Sequence, residues 1–354
     1  MDRARFADRR AHGVVDVRRG TDALEAISRE GFWAVVATFE GDVTAIRFAV
    51  VEQAEPDEPD EPDVPAEVDA NGGPRWTPLD GGWTSSLDRT AYVSAVAEVR
   101  ERIAAGFVYQ VNVCRVLTHA LSDDADLDGL DLLVRQGNPA PHGARIRCDE
   151  AGIDIVCASP ELYLRRRDGR LVTRPIKGTA PTPELMLPKD HAENVMIVDL
   201  MRNDISGVCE PGTVSVDELC VTEAHPGLVH LVSTVSGVLR PGVEWPAIFG
   251  ATFPPGSVSG APKSSALTTI GDLEPAPRGP YCGAVGWVDA DRGSAELAVG
   301  IRTFWADRDD AGRRHLRFGT GAGITWHSDP EGEWRETELK AARLIGLAAG
   351  TVTP

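Results

Sequence analysis

Apolar and polar positions along the chain fall in short blocks whose period changes repeatedly. The longest apolar run, Phe32 to Phe39, reads as a buried strand. Residues 12 to 51 around it alternate apolar and turn-forming segments, the pattern of short antiparallel strands around one helix. Further on, Tyr92, Val96, Val99 and Ile103 recur at helical spacing behind the capping residues Ser86 and Asp88, and Gly106 ends that helix. The strand-forming stretch FVYQVNVCRVL follows. Residues 153 to 175 predict paired strands with a hairpin turn at Asp168-Gly169, and residues 188 to 205 predict a helix. Strands are expected over 229–240, 283–289, 295–305 and 315–320, then a helix from about Gly332 to Gly346. Hairpin-length connections join several strand pairs, so the expected class is α+β, with large, mostly antiparallel sheets flanked by helices.

Composition changes this picture at one place. Glu55 to Pro74 combines repeated proline with acid and lacks large apolar side chains, so it cannot contribute to a core. It divides the chain into a short variable part, 1–84, carrying the acidic loop 52–74, and a main region, 85–350, expected to be one integrated domain. Residues 52 to 69 hold nine acids and no Lys or Arg, half of the formal net charge of −18. The remaining charge is moderately negative, which disfavours a nucleic-acid partner. No run approaches the roughly 20 apolar residues of a membrane span, and the charged opening MDRARFADRR is unlike a secretory signal, so a cytoplasmic protein is expected. Six cysteines without a CxxC pair read as reduced, mostly buried thiols.

Candidate chemistry comes from spacing. Asp190 with Glu193, and Glu333 with Glu336, each put two carboxylates on one helical face. Solvated surface is the ordinary explanation of such a pair, but if the two helices face each other the four groups suit a hard cation such as Mg²⁺. Gly256-Ser-Val-Ser-Gly260-Ala-Pro-Lys263 has neither the spacing of a P-loop nor a serine at the centre of an elbow. Gly319, Gly321 and Gly323 follow a strand and read as a tight turn, or as backbone N–H groups offered to an anion. Lys177 is either an exposed lysine at a strand end or, if buried, a free amine able to act as nucleophile. Glu161, on the preceding strand, is placed to protonate a leaving hydroxyl if it is desolvated.

Taken together, PIKGT (175–179), AENVMIVDLMRND (192–204), HLVST (230–234), PGSVSGAPK (255–263), YCGAVGW (281–287), IRT (301–303), GAGI (321–324) and ETELKA (336–341) resemble, in order and type, the chorismate-utilising enzymes. The resemblance covers roughly residues 85 to 346. Members that add water to chorismate carry a lysine base where this chain has Gln110, so the resemblance implies ammonia as the nucleophile. Anthranilate synthases typically have alanine at the position of Lys177, and the lysine form resembles the aminodeoxychorismate synthase branch. That likeness implies that Lys177 attacks the ring while Glu161 protonates the leaving hydroxyl, with Thr179 and the catalytic His230 lining the ring. It implies Mg²⁺ held directly by Glu193 and Glu336, and by Asp190 and Glu333 mainly through water. Tyr281, Arg302, Lys340, Gln110 and the N–H groups of Gly321 and Gly323 would bind the substrate. The chain has no Gly-x-Cys-x-Gly motif of a glutaminase, so a separate glutamine amidotransferase subunit is implied, the product serving 4-aminobenzoate and folate synthesis. Anthranilate synthase component I, or a silent subunit that regulates an amidotransferase, is the alternative. The chain departs from the family in lacking an LLES-type motif, and in Thr182 and His191, where arginine is common.

Overall fold

Strand after strand pairs antiparallel in one continuous hydrogen-bonded ribbon, seen here in a computed structural model that describes residues 2–53, 76–180, 182–186, 188–225 and 228–353. From one end the ribbon runs through Gln110–Ala120, Arg314–Ile324, Thr303–Arg308, Ile153–Ser159 and His142–Cys148 to Arg3–Phe6. It continues through Arg9–Arg19, Val43–Gln53, Phe32–Ala37, Ala284–Asp289, Ser294–Val299, Leu162–Arg167 and Arg170–Arg174. Leu228–Val238 follows, pairing with Arg170–Arg174, Ile176–Ala180 and Ser215–His225. The expected α+β architecture is therefore present. The first 53 residues supply the strands at the middle of the ribbon and join its two ends. The expected acidic loop lies, apart from Glu52 and Gln53, outside the described residues.

Packing follows the apolar pattern. Every residue of Phe32–Ala37 is buried, because neighbours pair along both its edges and its two faces are covered. The helix Arg89–Ala104 buries Tyr92, Val96 and Val99, each such side chain being worth about 1.5–3 kcal/mol. Asp88 caps it by accepting the Ala91 N–H at 2.8 Å. Ser86, the other expected cap, instead accepts the Val116 N–H of the neighbouring strand at 3.0 Å. Asp168 and Gly169, with φ of 52° and 73°, make the expected tight hairpin turn.

Two expectations are corrected. The single strand expected over 295–305 is two, Ser294–Val299 and Thr303–Arg308, broken at Gly300-Ile301-Arg302. A Cβ on Gly300 would stand 2.0 Å from the Pro280 carbonyl oxygen, and Arg302 adopts φ 52°, so the backbone turns there. Gly319, Gly321 and Gly323 form no turn. They lie inside the strand Arg314–Ile324, where a Cβ on Gly319 would meet the Tyr281 ring at 2.0 Å. No helix among the described residues is long and apolar enough to cross a membrane.

Candidate active site

Lys177 sits on Ile176–Ala180, whose pairing with Leu228–Val238 slips between Ile176 and Thr179. At the slip Gly178 takes φ 82°, and a Cβ there would stand 2.8 Å from Asp190 Cβ, so glycine lets the helix Pro188–Ser206 close onto the strand beside Lys177. The Lys177 ammonium is half-buried and donates to the Ser257 carbonyl oxygen at 2.9 Å. Burial pushes its pKa down, opposed by Glu193, Glu161 and Glu336 and reinforced by Lys340.

Glu161 occupies the corner between Ile153–Ser159 and Leu162–Arg167, buried, its N–H donated to Ser159 Oγ at 3.2 Å. Burial pushes its carboxyl up to about 7, against the pull of the Ser257 hydroxyl and of Lys177. The site thus holds a depressed amine and a carboxylic acid poised near neutrality. His230 is buried on Leu228–Val238, opposite Thr179 across one ladder and Glu223 across the other.

The glycine strand forms the opposite wall. Gly321 and Gly323 stand across from Cys114 and Asn112, whose N–H groups go instead to Glu274 Oε1 and the Ser259 carbonyl, each at 2.8 Å. Those rungs are therefore the non-bonded kind, and the N–H and C=O groups of Gly321 and Gly323 point away from Gln110–Ala120. Lys340 takes the Gly321 carbonyl at 3.0 Å. A Cβ on Gly323 would be 2.5 Å from Gln110 Nε2 and 3.6 Å from Lys177 Nζ, which brings strand, amide and amine together. Gln110 is 2% exposed, and its Oε1 is buried with no hydrogen-bond partner among the described residues. Arg302 is half-buried, its pKa lowered by burial alone, with no carboxylate paired to it among the described residues. Tyr281 lies on Gly319, and its hydroxyl accepts from the Cys114 thiol at 3.9 Å rather than from Arg302.

The four acids stand on two helices, Asp190 and Glu193 on Pro188–Ser206 and Glu333 and Glu336 on Pro330–Ala348. They feel one another: burial first, then neighbouring acids including Glu336, push Glu193 up, and Glu333 is raised in the same way. Glu336 is held below its usual range although burial opposes this, because Lys340 pairs with it at 2.7 Å and Lys189 and Lys177 add positive charge. Among the described residues no three His, Cys, Asp or Glu side chains meet as a coordination shell. Oxygen-only donors, mutually repelling and half-sunk, suit a hard divalent cation.

Sequence reasoning missed Lys189, which faces Glu193, Glu333 and Glu336. It also missed Ser257, which touches Lys177 from 80 residues away. Ser257 lies within a motif noticed for its glycines. Arg278, fully buried, donates to Glu274, Val258 and Asn112 and ties that motif to the strand Gln110–Ala120.

Comparison with known proteins bears on the family and the fold. Residues 31–346 match the family model described as chorismate binding enzyme. The chain is 40% identical over 274 residues to anthranilate synthase component 1 of Saccharolobus solfataricus, covering 74% of this chain and 63% of that one. It is 37% identical over 279 residues to aminodeoxychorismate synthase component 1 of Klebsiella aerogenes, covering 75% and 60%. The chain thus spans about three fifths of the length of these relatives. In fold it is similar to an isochorismate synthase of Bacillus anthracis described as 2,3-dihydroxybenzoate-specific, with TM-score 0.79, 23% identity and coverage of 99% and 97%. It is similar too to anthranilate synthase component I of Streptococcus pneumoniae, with TM-score 0.79, 22% identity and coverage of 97% and 92%. The chain belongs to the chorismate-binding enzyme family.

Proposed function

We propose that the chain is the chorismate-aminating component of an aminodeoxychorismate synthase, making 4-amino-4-deoxychorismate from chorismate and ammonia. The observation that carries this reading is Lys177 held to the Ser257 carbonyl at 2.9 Å, its pKa lowered by burial, in one site with the buried Glu161, whose carboxyl burial pushes up to about 7. A neutral Lys177 amine adds to ring carbon 2 as the carbon 4 carbon–oxygen bond breaks. Glu161 gives its proton to the departing hydroxyl, which leaves as water. Ammonia then adds at carbon 4 as the carbon 2–lysine bond breaks with its electron pair returning to the Lys177 nitrogen, and the new ammonium at carbon 4 gives one proton back to the Glu161 carboxylate. Gln110 Oε1, buried with no partner among the described residues, suits an N–H donor such as ammonia. Arg302 and the N–H groups of Gly321 and Gly323 suit a substrate with two carboxylates, with Lys340 beside them. Tyr281, Thr179 and His230 complete the proposed lining.

Glu193 and Glu336, with Asp190 and Glu333 behind them through water, would hold Mg²⁺, which when bound neutralises a substrate carboxylate and polarises the reacting ring. Ammonia would come from a glutamine amidotransferase partner, and the product would feed 4-aminobenzoate synthesis in the cytoplasm. Anthranilate formation is the second reading, favoured by the 40% identity to an anthranilate synthase component. Incubating the chain with chorismate, Mg²⁺ and ammonium, with and without an aminodeoxychorismate lyase, separates the two. 4-Aminobenzoate that needs the lyase supports the proposal; anthranilate formed without lyase overturns it.

A further inference from the structure

We propose that Asn194 and Thr337 are positioning residues that fix the two acid-bearing helices in rotation, each setting one pair of carboxylates for a divalent cation. This rests on the Mg²⁺ reading given above. One spacing occurs twice in the molecule. Pro188–Ser206 carries Asp190, Glu193 and Asn194, and Pro330–Ala348 carries Glu333, Glu336 and Thr337, so each helix shows acid, acid and a neutral polar residue at i, i+3 and i+4. Residues so spaced share a helical face, the third standing one turn from the first acid and next to the second. Both Asn194 and Thr337 are 0% exposed.

Asn194 ties its helix to the sheet through three side-chain contacts. Its Nδ2 donates to the Leu231 carbonyl at 3.1 Å, one residue from His230. Its Oδ1 accepts from the Ser233 hydroxyl and from the Cys220 thiol, the latter at 3.6 Å. Ser233 extends the link: its Oγ takes the Cys220 N–H at 2.8 Å, and its own N–H goes to the Pro175 carbonyl at 3.2 Å, directly before the strand that bears Lys177. Thr337 anchors the other helix. Its hydroxyl accepts from Arg115 Nε at 3.0 Å and donates to the Trp334 carbonyl at 2.8 Å, while its carbonyl takes the Thr320 hydroxyl at 2.8 Å. Arg115 is 3% exposed, lies on Gln110–Ala120 and stacks on the Trp334 ring at 4.1 Å. One acid pair is thus tied to Leu228–Val238, and the other to Gln110–Ala120 at the far end of the ribbon.

Apolar packing alone leaves the direction of these acids loosely set. Beyond Asn194 the first helix buries Ile197, Val198 and Met201, and beyond Thr337 the second buries Ala341 and Leu344, smooth contacts that permit small rotations. A buried hydrogen bond is directional and costly to leave unmade, so a rotated helix would strand the Asn194 amide or the Arg115–Thr337 contact. Mg²⁺ demands near-ideal octahedral oxygen geometry and tolerates misplaced carboxylates poorly. Each helix supplies half of the proposed acids, so an error in either rotation is felt at the ion. Neither anchor is charged, and its removal leaves the charge of the acids as it was.

The test is cation binding to the resting chain, with Mn²⁺ as the probe read by electron paramagnetic resonance, together with amide hydrogen exchange of the two helices in metal-free protein. Asn194→Ala and Thr337→Val should each raise the Mn²⁺ Kd roughly ten-fold, and Thr337→Ser, which keeps the hydroxyl, should restore it. Thr337→Val, close to threonine in shape, keeps the test open should Asn194→Ala fail to fold. Ile197→Val loosens the packing of the first helix and should leave Kd unchanged. Exchange should quicken in the first two turns of the altered helix. In ammonium-dependent turnover the Mg²⁺ concentration for half-activation should rise by the same factor as Kd, with kcat recovered at saturating Mg²⁺. A Kd unchanged in Asn194→Ala and Thr337→Val overturns the proposal, as does an equal rise in Ile197→Val or a loss that Thr337→Ser fails to restore. Failure of the Mg²⁺ reading is separate: it shows as wild-type Mn²⁺ affinity in Glu193→Gln with Glu336→Gln. Exchange then decides the positioning role, which quickening in the anchor variants upholds and unchanged exchange overturns.

Discussion

Lys177 and Lys263 are both held against main-chain oxygens, and their surroundings differ in one respect. Lys263 Nζ meets Asp204 Oδ2 at 2.6 Å and the Thr252 carbonyl at 3.0 Å, so its charge is matched by direct contact. Among the described residues Lys177 meets only a carbonyl at hydrogen-bonding distance, while Glu161, Glu193 and Glu336 act on it from further away. A closed ion pair fixes an ammonium as an ammonium; an amine given a carbonyl and distant acids can lose its proton. The first arrangement builds structure, and the second is suited to chemistry.

That contrast can be broken, and the largest effect should come from Lys177. Lys177→Ala should lower amination at carbon 4 by at least about 10³-fold, with little change in melting temperature, read by product chromatography and calorimetry. Equal losses of turnover and stability would erase the distinction from Lys263. Lys263→Ala should instead cost about 3 kcal/mol in denaturant unfolding, because Asp204 is left buried and unpaired. Burial already pushes Asp204 up, so Lys263→Met with Asp204→Asn should recover most of that loss.

Glu161 sharpens the comparison through pH. Its folded pKa of about 7 lies above the usual 4.5, so the stability it allows is fully present below about 4.5 and is lost as pH rises through 7. Glu161→Gln should therefore be more stable than wild type by about 2–3 kcal/mol at pH 8 and equal to it near pH 4, measured by urea unfolding at both values. The smallest effect is at the glycine wall. Gly323→Ala should raise KM for chorismate by roughly ten-fold with the fold intact, since the added carbon lands on the Gln110 amide, which can yield.

Much of this was legible in the chain. Phe32–Ala37 and the helix Arg89–Ala104 declare themselves by run and period, because burial against many neighbours is written locally in apolar residues. The break at Gly300 to Arg302 does not, since it depends on the Pro280 carbonyl lying across the path of the strand. The glycines at 319, 321 and 323 mislead for the same reason: their lack of side chain serves Tyr281, Cys114 and Gln110, which arrive from elsewhere. Lys177 and Glu161 could be named as candidates, but their electrostatics depend on Ser257 and Lys340, which no local pattern connects to them.

The continuous ribbon has a consequence for how the protein is made. Its middle strands come from the first 53 residues, and one end is closed by Arg314–Ile324 against Gln110–Ala120. Lys340, which caps Gly321, arrives later still. Loops of this length are slow to close, so such a topology favours late, cooperative folding. During synthesis Lys177 emerges long before Ser257 and Lys340, and until they dock it is an ordinary solvated ammonium. The growing chain therefore carries the proposed nucleophile as an ordinary ammonium, and the surroundings that lower its pKa are complete only when the helix Pro330–Ala348 is in place.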